Sequence, residues 1–370
     1  MLDWIENDQL LYSIKNKKFV FPKNIKIAAF DLDDTLIKSK TDDLIYALDN
    51  IVDEMKHLIK NNTPIIIFTN QSGLNKSPIK TNKWKKKIEE FFSNVFENEK
   101  KYYFAIYSAT SYDCYRKPNI GMWDLMKKNI RDHTKIKNGF LKSSFFCGDA
   151  AGRLEASSIK KKLHPSSKKG DFSDVDRKFA MNIGLNFFTP EEYFLNEKPS
   201  RYKLTGIDPS ELIKKIKSKK YHFEERNKEM IILVGKPGSG KSTFVKKYLS
   251  NYVHVNQDTC KTKNKCLKIC EDSLGKGNNV VIDNTNGNEK IRKEYIDMAF
   301  EYGYTNIRCI IMNTSIDVAI HLANVRNLYT DGRIPRPPKL VYYQFNKYFQ
   351  QPNRMEGFDL IENVSFMIDE

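Results

Sequence analysis

The chain is expected to fold as two tandem α/β domains, each a doubly wound parallel sheet with helices on both faces. Three observations carry that expectation. Short apolar runs alternate with amphipathic stretches through both halves. Each half sets a distinctive motif directly after an apolar run, FDLDDTLI at 30–37 in the first and VGKPGSGKSTF at 234–244 in the second. Between them, EKPSRYKLTGIDPS at 197–210 is punctuated by proline and glycine and reads as linker. The expected organisation is a first domain over 1–200, a linker and lead-in helix over 201–225, and a second domain over 226–370.

In chain order, Ile25, Ile27 and Ala29 lead into FDLDDTLI as a short buried strand. The pattern from about Asp42 to Lys60 predicts an amphipathic helix. PIIIFTNQ, 64–71, is a continuous apolar run of the kind found in strands covered on both faces. A helix over about Asn82 to Phe96, a strand at YFAIYSA, a helix from Met122 and a strand at FFCGDA continue the alternation. KKKLHPSSKKG, 160–170, reads as an exposed basic loop. A lysine-rich helix follows the linker, and MIILVG, YVHVNQD, VVIDNTN and IRCIIMN are the strands of the second half. Trp84, Ile88, Phe91 and Val95 recur at helical spacing and read as a buried face, not a stacking surface. The cluster Tyr342, Tyr343, Phe345, Tyr348 and Phe349 is expected to be core, and Cys266 and Cys270, one helical turn apart, to be packing.

Composition narrows the function classes. Lys and Arg number 62 against 46 Asp and Glu, a net charge of +16 that attracts polyanions. Genome composition can also enrich lysine, so the charge needs a site to give it meaning. No apolar stretch approaches the ~18 residues of a membrane span, and MLDWIENDQ is too polar for a secretory signal. An intracellular protein with no membrane partner is expected, nuclear if its source is a eukaryote, although the sequence does not specify the compartment. The six cysteines contain no CxxC pair and read as reduced thiols.

Two constellations carry chemistry. In the first half, Asp31 and Asp33 project to the same side of an extended backbone. Two carboxylates that close suit a division of labour, one as nucleophile and metal ligand, the other as proton donor and acceptor. A carboxylate attacking a phosphoryl group needs a cation, a hydroxyl donor and a carboxylate-held Mg²⁺. Lys117, Thr69 and Asp149 supply these in order along the chain.

In the second half, strand, glycine-rich loop and helix follow one another. Gly235, Gly238, Gly240, Lys241, Ser242 and Thr243 are expected to cradle a nucleoside triphosphate. Lys241 would reach the β- and γ-phosphates and Ser242 would help hold Mg²⁺. Asp258 in HVNQDT is placed to accept a hydroxyl proton, and Asp283, ending VVID, to support the metal.

The first half resembles a haloacid dehalogenase superfamily phosphatase. RKPNIGMWD, CGDAAGR and DFSDVDRKFAMNIGL resemble the phosphatase half of the polynucleotide kinase 3′-phosphatase family. By that resemblance Asp31 forms an aspartyl-phosphate, with Mg²⁺ held at Asp31, Asp33 and Asp149, and Asp33 acts as general acid and base. Thr69 and Lys117 bind the transferring phosphoryl group, and Asp176 is a supporting acid, with neighbouring Asp174 competing for that assignment. Asp34 departs from the family's usual glycine.

The second half is similar to the family's P-loop kinase. Asp258 matches its general base, AIHLANVRN its lid helix, and Arg326 an arginine on the transferring phosphoryl, while Asn324 and Gln257 stand where arginines are usual. The short spacing between the first-half motifs leaves no room for a separate lid domain, so a polymer end could enter. Too few residues precede DLDDT for the phosphopeptide-binding module of larger members. The resemblance implies a monomeric DNA end-processing enzyme that uses ATP and Mg²⁺, acts on strand-break ends and is coupled to a ligase. RNA repair and a strand-break scaffold with a weakened kinase site are the alternatives.

Overall fold

A computed structural model describes residues 2–17, 19, 21, 26–96, 102–131, 143–158, 170–208, 211–212, 221–330 and 332–365. It divides into two compact units, Met1–Thr205 and Gly206–Glu370. No helix among the described residues is long and apolar enough to cross a membrane. Most of the basic loop at 160–170 and of the lysine-rich lead-in helix lies outside the described residues.

The first unit opens with a hairpin, β1 (Trp4–Glu6) and β2 (Leu10–Lys15), then runs through β3 (Ala28–Phe30), α1 (Ile51–Lys60), β4 (Ile65–Asn70), α2 (Pro78–Phe96), β5 (Phe104–Ala109), α3 (Gly121–Arg131), β6 (Phe145–Cys147), α4 (Val175–Ile183), β7 (Asn186–Phe188) and α5 (Pro190–Phe194). The sheet order is β1-β2-β5-β4-β3-β6-β7. From β5 to β7 it is parallel, but β2 runs antiparallel to β5 and β1 to β2, so one edge departs from the all-parallel expectation. Leu10, Leu11 and Ile14 bury themselves there and satisfy the backbone of β5.

Strand β4 shows why the core needs continuous apolar strands. Ile65 and Ile67 face one cluster with Met55, Ile88 and Phe91, while Ile66 and Phe68 face a second with Trp123, Met126 and Phe179. Trp84 packs against the first cluster and Trp4, at 5.6 Å between ring centroids.

The helix expected from about Asp42 begins at Ile51. Residues 34–47 instead fold back on themselves: Lys38 N–H donates to the Ile45 carbonyl at 2.8 Å and Ala47 N–H to that of Leu36 at 3.1 Å. Lys87 of α2 ties the tip down, donating to the Thr41 carbonyl at 2.9 Å. The linker also starts inside this unit, because Leu154 N–H donates to the Arg201 carbonyl and Lys203 N–H to that of Gly152.

The second unit contains β8 (Glu229–Val234), α6 (Lys241–Tyr248), β9 (Val253–Val255), α7 (Gln257–Cys260), α8 (Lys263–Gly275), β10 (Val280–Ile282), α9 (Glu289–Glu301), β11 (Asn306–Asn313), α10 (Ile316–Tyr329), α11 (Lys339–Tyr348) and β12 (Leu360–Ser365). Its sheet, β12-β11-β8-β10-β9, is parallel throughout. β12, with the mixed sequence LIENVS, was not among the expected strands; it lies at the edge, half exposed, so its apolar signal is weak. Cys266 and Cys270 are buried packing residues. The aromatic cluster on α11 is split, a correction to its expected burial. Tyr342 is core and Phe345 lies tilted against Phe349, with 5.5 Å between ring centroids, but Tyr343 and Tyr348 point outward and are 60% and 59% exposed.

Candidate active sites

The carboxyl ends of three adjacent parallel strands, β4, β3 and β6, converge in the first unit, where an open α/β sheet presents its crevice. Asp31 follows β3, its N–H donating to the Cys147 carbonyl at 2.8 Å. Lys117 comes from the loop after β5, held by Asn70, whose side-chain oxygen accepts its N–H at 2.9 Å and whose amide donates to its carbonyl at 3.2 Å. The Lys117 ammonium donates to Asp31 Oδ1 at 2.5 Å and to Asp176 Oδ1 at 2.6 Å. Asp176 Oδ2 accepts the Ala150 N–H at 3.0 Å. Asp149 is registered on the loop that follows Asp31 through its own N–H, which donates to the Thr35 hydroxyl at 3.0 Å.

Asp31, Asp149 and Asp176 each offer an oxygen, all within 4.8 Å of one another. Burial pushes the Asp31 carboxyl up to about 8 against the pull of Lys117, and burial with the Asp176 and Asp31 charges holds Asp149 well above the usual range. Burial acts to lower Lys117, yet Asp176 and Asp31 carry it above its ordinary value. Three acids face one ammonium, a surplus of negative charge and oxygen ligands that suits a hard divalent cation.

Asp33, expected among the metal ligands, is not part of this group. Gln71 Nε2 donates to its Oδ2 at 2.6 Å and to the Thr69 hydroxyl at 3.0 Å, linking the two. Burial raises the Asp33 carboxyl, and the Gln71 bond opposes the rise. Asp174 and Asp176 have different partners. Asp174 caps Thr205 and pairs with Lys178, whereas Asp176 joins the cluster.

Gln71 and Gly148 were missed from sequence. A Cβ on Gly148 would sit 2.6 Å from Asp176 Oδ2, so only glycine admits that carboxylate. Asp34 adopts φ +54°, a backbone glycine favours and aspartate tolerates, and its carboxylate accepts the Ser39 N–H and hydroxyl at 2.9 Å each.

In the second unit Gly240 opens α6 at φ +98°. Gly238, at φ +75°, packs so closely on α10 that a Cβ would lie 2.4 Å from the Ala319 carbonyl. Gly235 N–H donates to the Thr285 carbonyl at 3.1 Å. The Lys241 ammonium is folded back into the loop, donating to the Gly235 and Lys236 carbonyls at 2.9 and 3.0 Å. Burial pushes it down to about 8, opposed by the charges of Asp283 and Asp258 and assisted by that of Arg326.

Ser242 donates to Asp283 Oδ2 at 2.7 Å. Asp283 Oδ1 is buried with no donor among the described residues, an orphan oxygen that fits a metal ion or its water. Asp258, expected at a strand end, sits on the short helix α7 and is exposed. Arg326 is exposed on α10 and Thr243 on the first turn of α6; Asn324 is half-buried and Gln257 exposed.

These two centres define a two-unit phosphoryl-transfer protein, one unit built around a buried aspartate–lysine cluster and the other around a glycine-rich phosphate loop. Residues 26–194 match the family described as polynucleotide kinase 3 phosphatase, and 230–352 that described as an AAA domain. A putative bifunctional polynucleotide phosphatase/kinase of Acanthamoeba polyphaga mimivirus is 47% identical over 100% of this chain and 91% of its own. A bifunctional polynucleotide phosphatase/kinase of Schizosaccharomyces pombe is 34% identical over 99% and 85%. A polynucleotide 3′-phosphatase of Arabidopsis thaliana is 33% identical over 47% of this chain and 25% of its own. The chain belongs to the family of bifunctional polynucleotide phosphatase/kinases.

Proposed function

We propose that the protein makes broken DNA strands ligatable, hydrolysing 3′-phosphates in its first unit and phosphorylating 5′-hydroxyls with ATP in its second. The supporting observation is that a buried Asp31–Lys117–Asp176 cluster and a Lys241–Ser242–Asp283 phosphate loop occur on one chain that is similar end to end to bifunctional polynucleotide phosphatase/kinases.

In the first unit Asp31 attacks phosphorus and the departing 3′-oxygen takes a proton from Asp33. Asp33 then draws a proton from the water that hydrolyses the aspartyl-phosphate, which frees inorganic phosphate and restores both acids. Thr69 and Lys117 bind the phosphoryl oxygens. In the second unit Asp258 accepts the 5′-hydroxyl proton as that oxygen attacks the γ-phosphorus of ATP and ADP leaves. Lys241 follows the β- and γ-phosphates, Gly235, Gly238, Gly240 and Thr243 shape their cradle, and Arg326 offsets charge on the transferring group. Asp31, Asp149 and Asp176 in one site, and Ser242 and Asp283 in the other, would hold Mg²⁺, which would supply charge neutralisation at each phosphoryl group.

The net charge of +16 serves to hold the strand, so binding falls steeply with salt. The protein works inside the cell as a monomer and passes its ends to a ligase. Incubation with ATP, Mg²⁺ and matched DNA and RNA oligonucleotides bearing 5′-hydroxyl and 3′-phosphate ends, each end scored separately, tests the reading. Conversion of both DNA ends is expected. Conversion of RNA alone would move the substrate to RNA repair, and no change at any end would leave a strand-break binding protein.

A further inference from the structure

Asp283 is bonded asymmetrically. Its Oδ2 accepts from the Ser242 hydroxyl at 2.7 Å, from His254 Nε2 at 2.9 Å and from Asn256 Nδ2 at 3.0 Å. Its Oδ1, equally buried, meets no donor among the described residues. A carboxylate accepts about two bonds per oxygen. Three on one oxygen and none on the other fix the plane of the group and leave its second oxygen to a ligand from outside the protein. As the donor in that contact, His254 carries a hydrogen on Nε2.

Asn256 reaches further. Its Nδ2 also donates to the Asp283 carbonyl at 2.8 Å, and its Oδ1 accepts the Asp258 N–H at 2.8 Å, capping α7. One planar amide, itself buried, therefore touches both carboxylate-bearing residues of this centre. Helix α7 has four residues, too few to persist on helical hydrogen bonds alone, so its cap matters to where Asp258 stands. In-line transfer requires the proton acceptor and the metal-held phosphates to be fixed within about half an ångström. Aspartate at 256 could accept from Asp258 but has no hydrogen to donate to Asp283, and serine, a shorter side chain with a single hydroxyl hydrogen, could not replace the two bonds that the amide donates. Only an amide of this length does both.

We infer that Asn256 is a positioning residue that sets the separation between Asp283 and Asp258, with His254 as a second brace on Asp283. The inference rests on the function proposed above for what those two acids do.

The test uses the full chain carrying Asn256→Ser, which keeps a capping oxygen and removes the amide NH2 that reaches Asp283. ADP affinity is measured with and without Mg²⁺, kcat and oligonucleotide KM are measured for 5′-phosphorylation, and 3′-dephosphorylation is measured alongside. Metal-free ADP affinity and 3′-dephosphorylation should be unchanged. The tightening of ADP by Mg²⁺ should shrink, and kcat should fall roughly ten- to hundredfold with KM little altered, the usual scale for a residue that orients a metal-holding side chain. His254→Leu should lower kcat by a smaller step that His254→Gln, which keeps a donor, recovers. Unchanged kcat and Mg²⁺ tightening in Asn256→Ser would overturn the inference. Loss of metal-free ADP binding would overturn it too, because Asn256 would then be supporting the loop. If the unsubstituted protein phosphorylates no oligonucleotide yet its Mg²⁺-tightened ADP binding depends on Asn256, the brace on Asp283 stands and the proposed kinase function falls.

Discussion

The two centres are prepared to different degrees. In the first, the expected nucleophile and its cation already touch, and the side chains of Lys117, Asp31 and Asp176 are only 1%, 8% and 2% exposed. In the second, the donor side is assembled around Lys241 and Asp283, while the groups that would meet the acceptor, Asp258 and Arg326, are exposed. The difference follows from where the attacking atom comes from. A nucleophile that belongs to the chain can be buried and charge-balanced in advance, whereas an acceptor hydroxyl arriving from solution needs an open approach to its base.

The largest expected effects test whether the centres are separate. Asp31→Asn should cut 3′-phosphate release by ~10⁴-fold or more, the scale for loss of a nucleophile, and leave 5′-labelling intact. Lys241→Ala should do the converse, with a loss of at least ~10²-fold. A folded variant that lost both activities would break the comparison. Next, Asp258→Asn should lower kcat for 5′-phosphorylation by ~10²–10⁴-fold without moving ADP affinity, as befits an exposed acceptor-side group. Equal loss of ADP binding would place Asp258 on the donor side.

Gln71→Leu should slow 3′-dephosphorylation by about tenfold, the worth of one hydrogen bond to a charged group, and should shift its pH profile because Asp33 loses the donor that opposes its burial. An unchanged profile would detach Gln71 from Asp33. The smallest effect concerns Lys241, whose ammonium burial holds down to about 8. The cation is complete below that pH and lost above it. Metal-free ADP binding should therefore be flat below pH 8 and weaken above it by at most about tenfold per pH unit.

Much of the scaffold was legible because parallel strands covered on both faces need continuous apolar runs, and IIIF at 65–68 serves both core clusters. The site was legible where motifs end such strands, as at Asp31, Thr69, Asp149 and Asp283. What escaped depended on partners distant in sequence. Gln71 matters through its reach to Asp33, and Gly148 because Asp176 lies against it. The stretch 42–50 carries a helical pattern, yet its backbone pairs with 36–38 and the turn before it is held at Thr41 by Lys87, tertiary terms that outweigh local periodicity. Tyr343 and Tyr348 share the aromatic character of Tyr342 but fall on the outer side of α11, which composition cannot distinguish.

The contact between Gly238 and the Ala319 carbonyl joins the phosphate loop to the helix that bears Arg326 without an intervening side chain. With no side chain between them to absorb a displacement, a shift of the loop would be felt directly by the helix. By reciprocity, any ligand whose binding moved that helix would change nucleotide affinity by the same factor that the nucleotide changed its own. Order of substrate addition would then reflect backbone packing at one glycine.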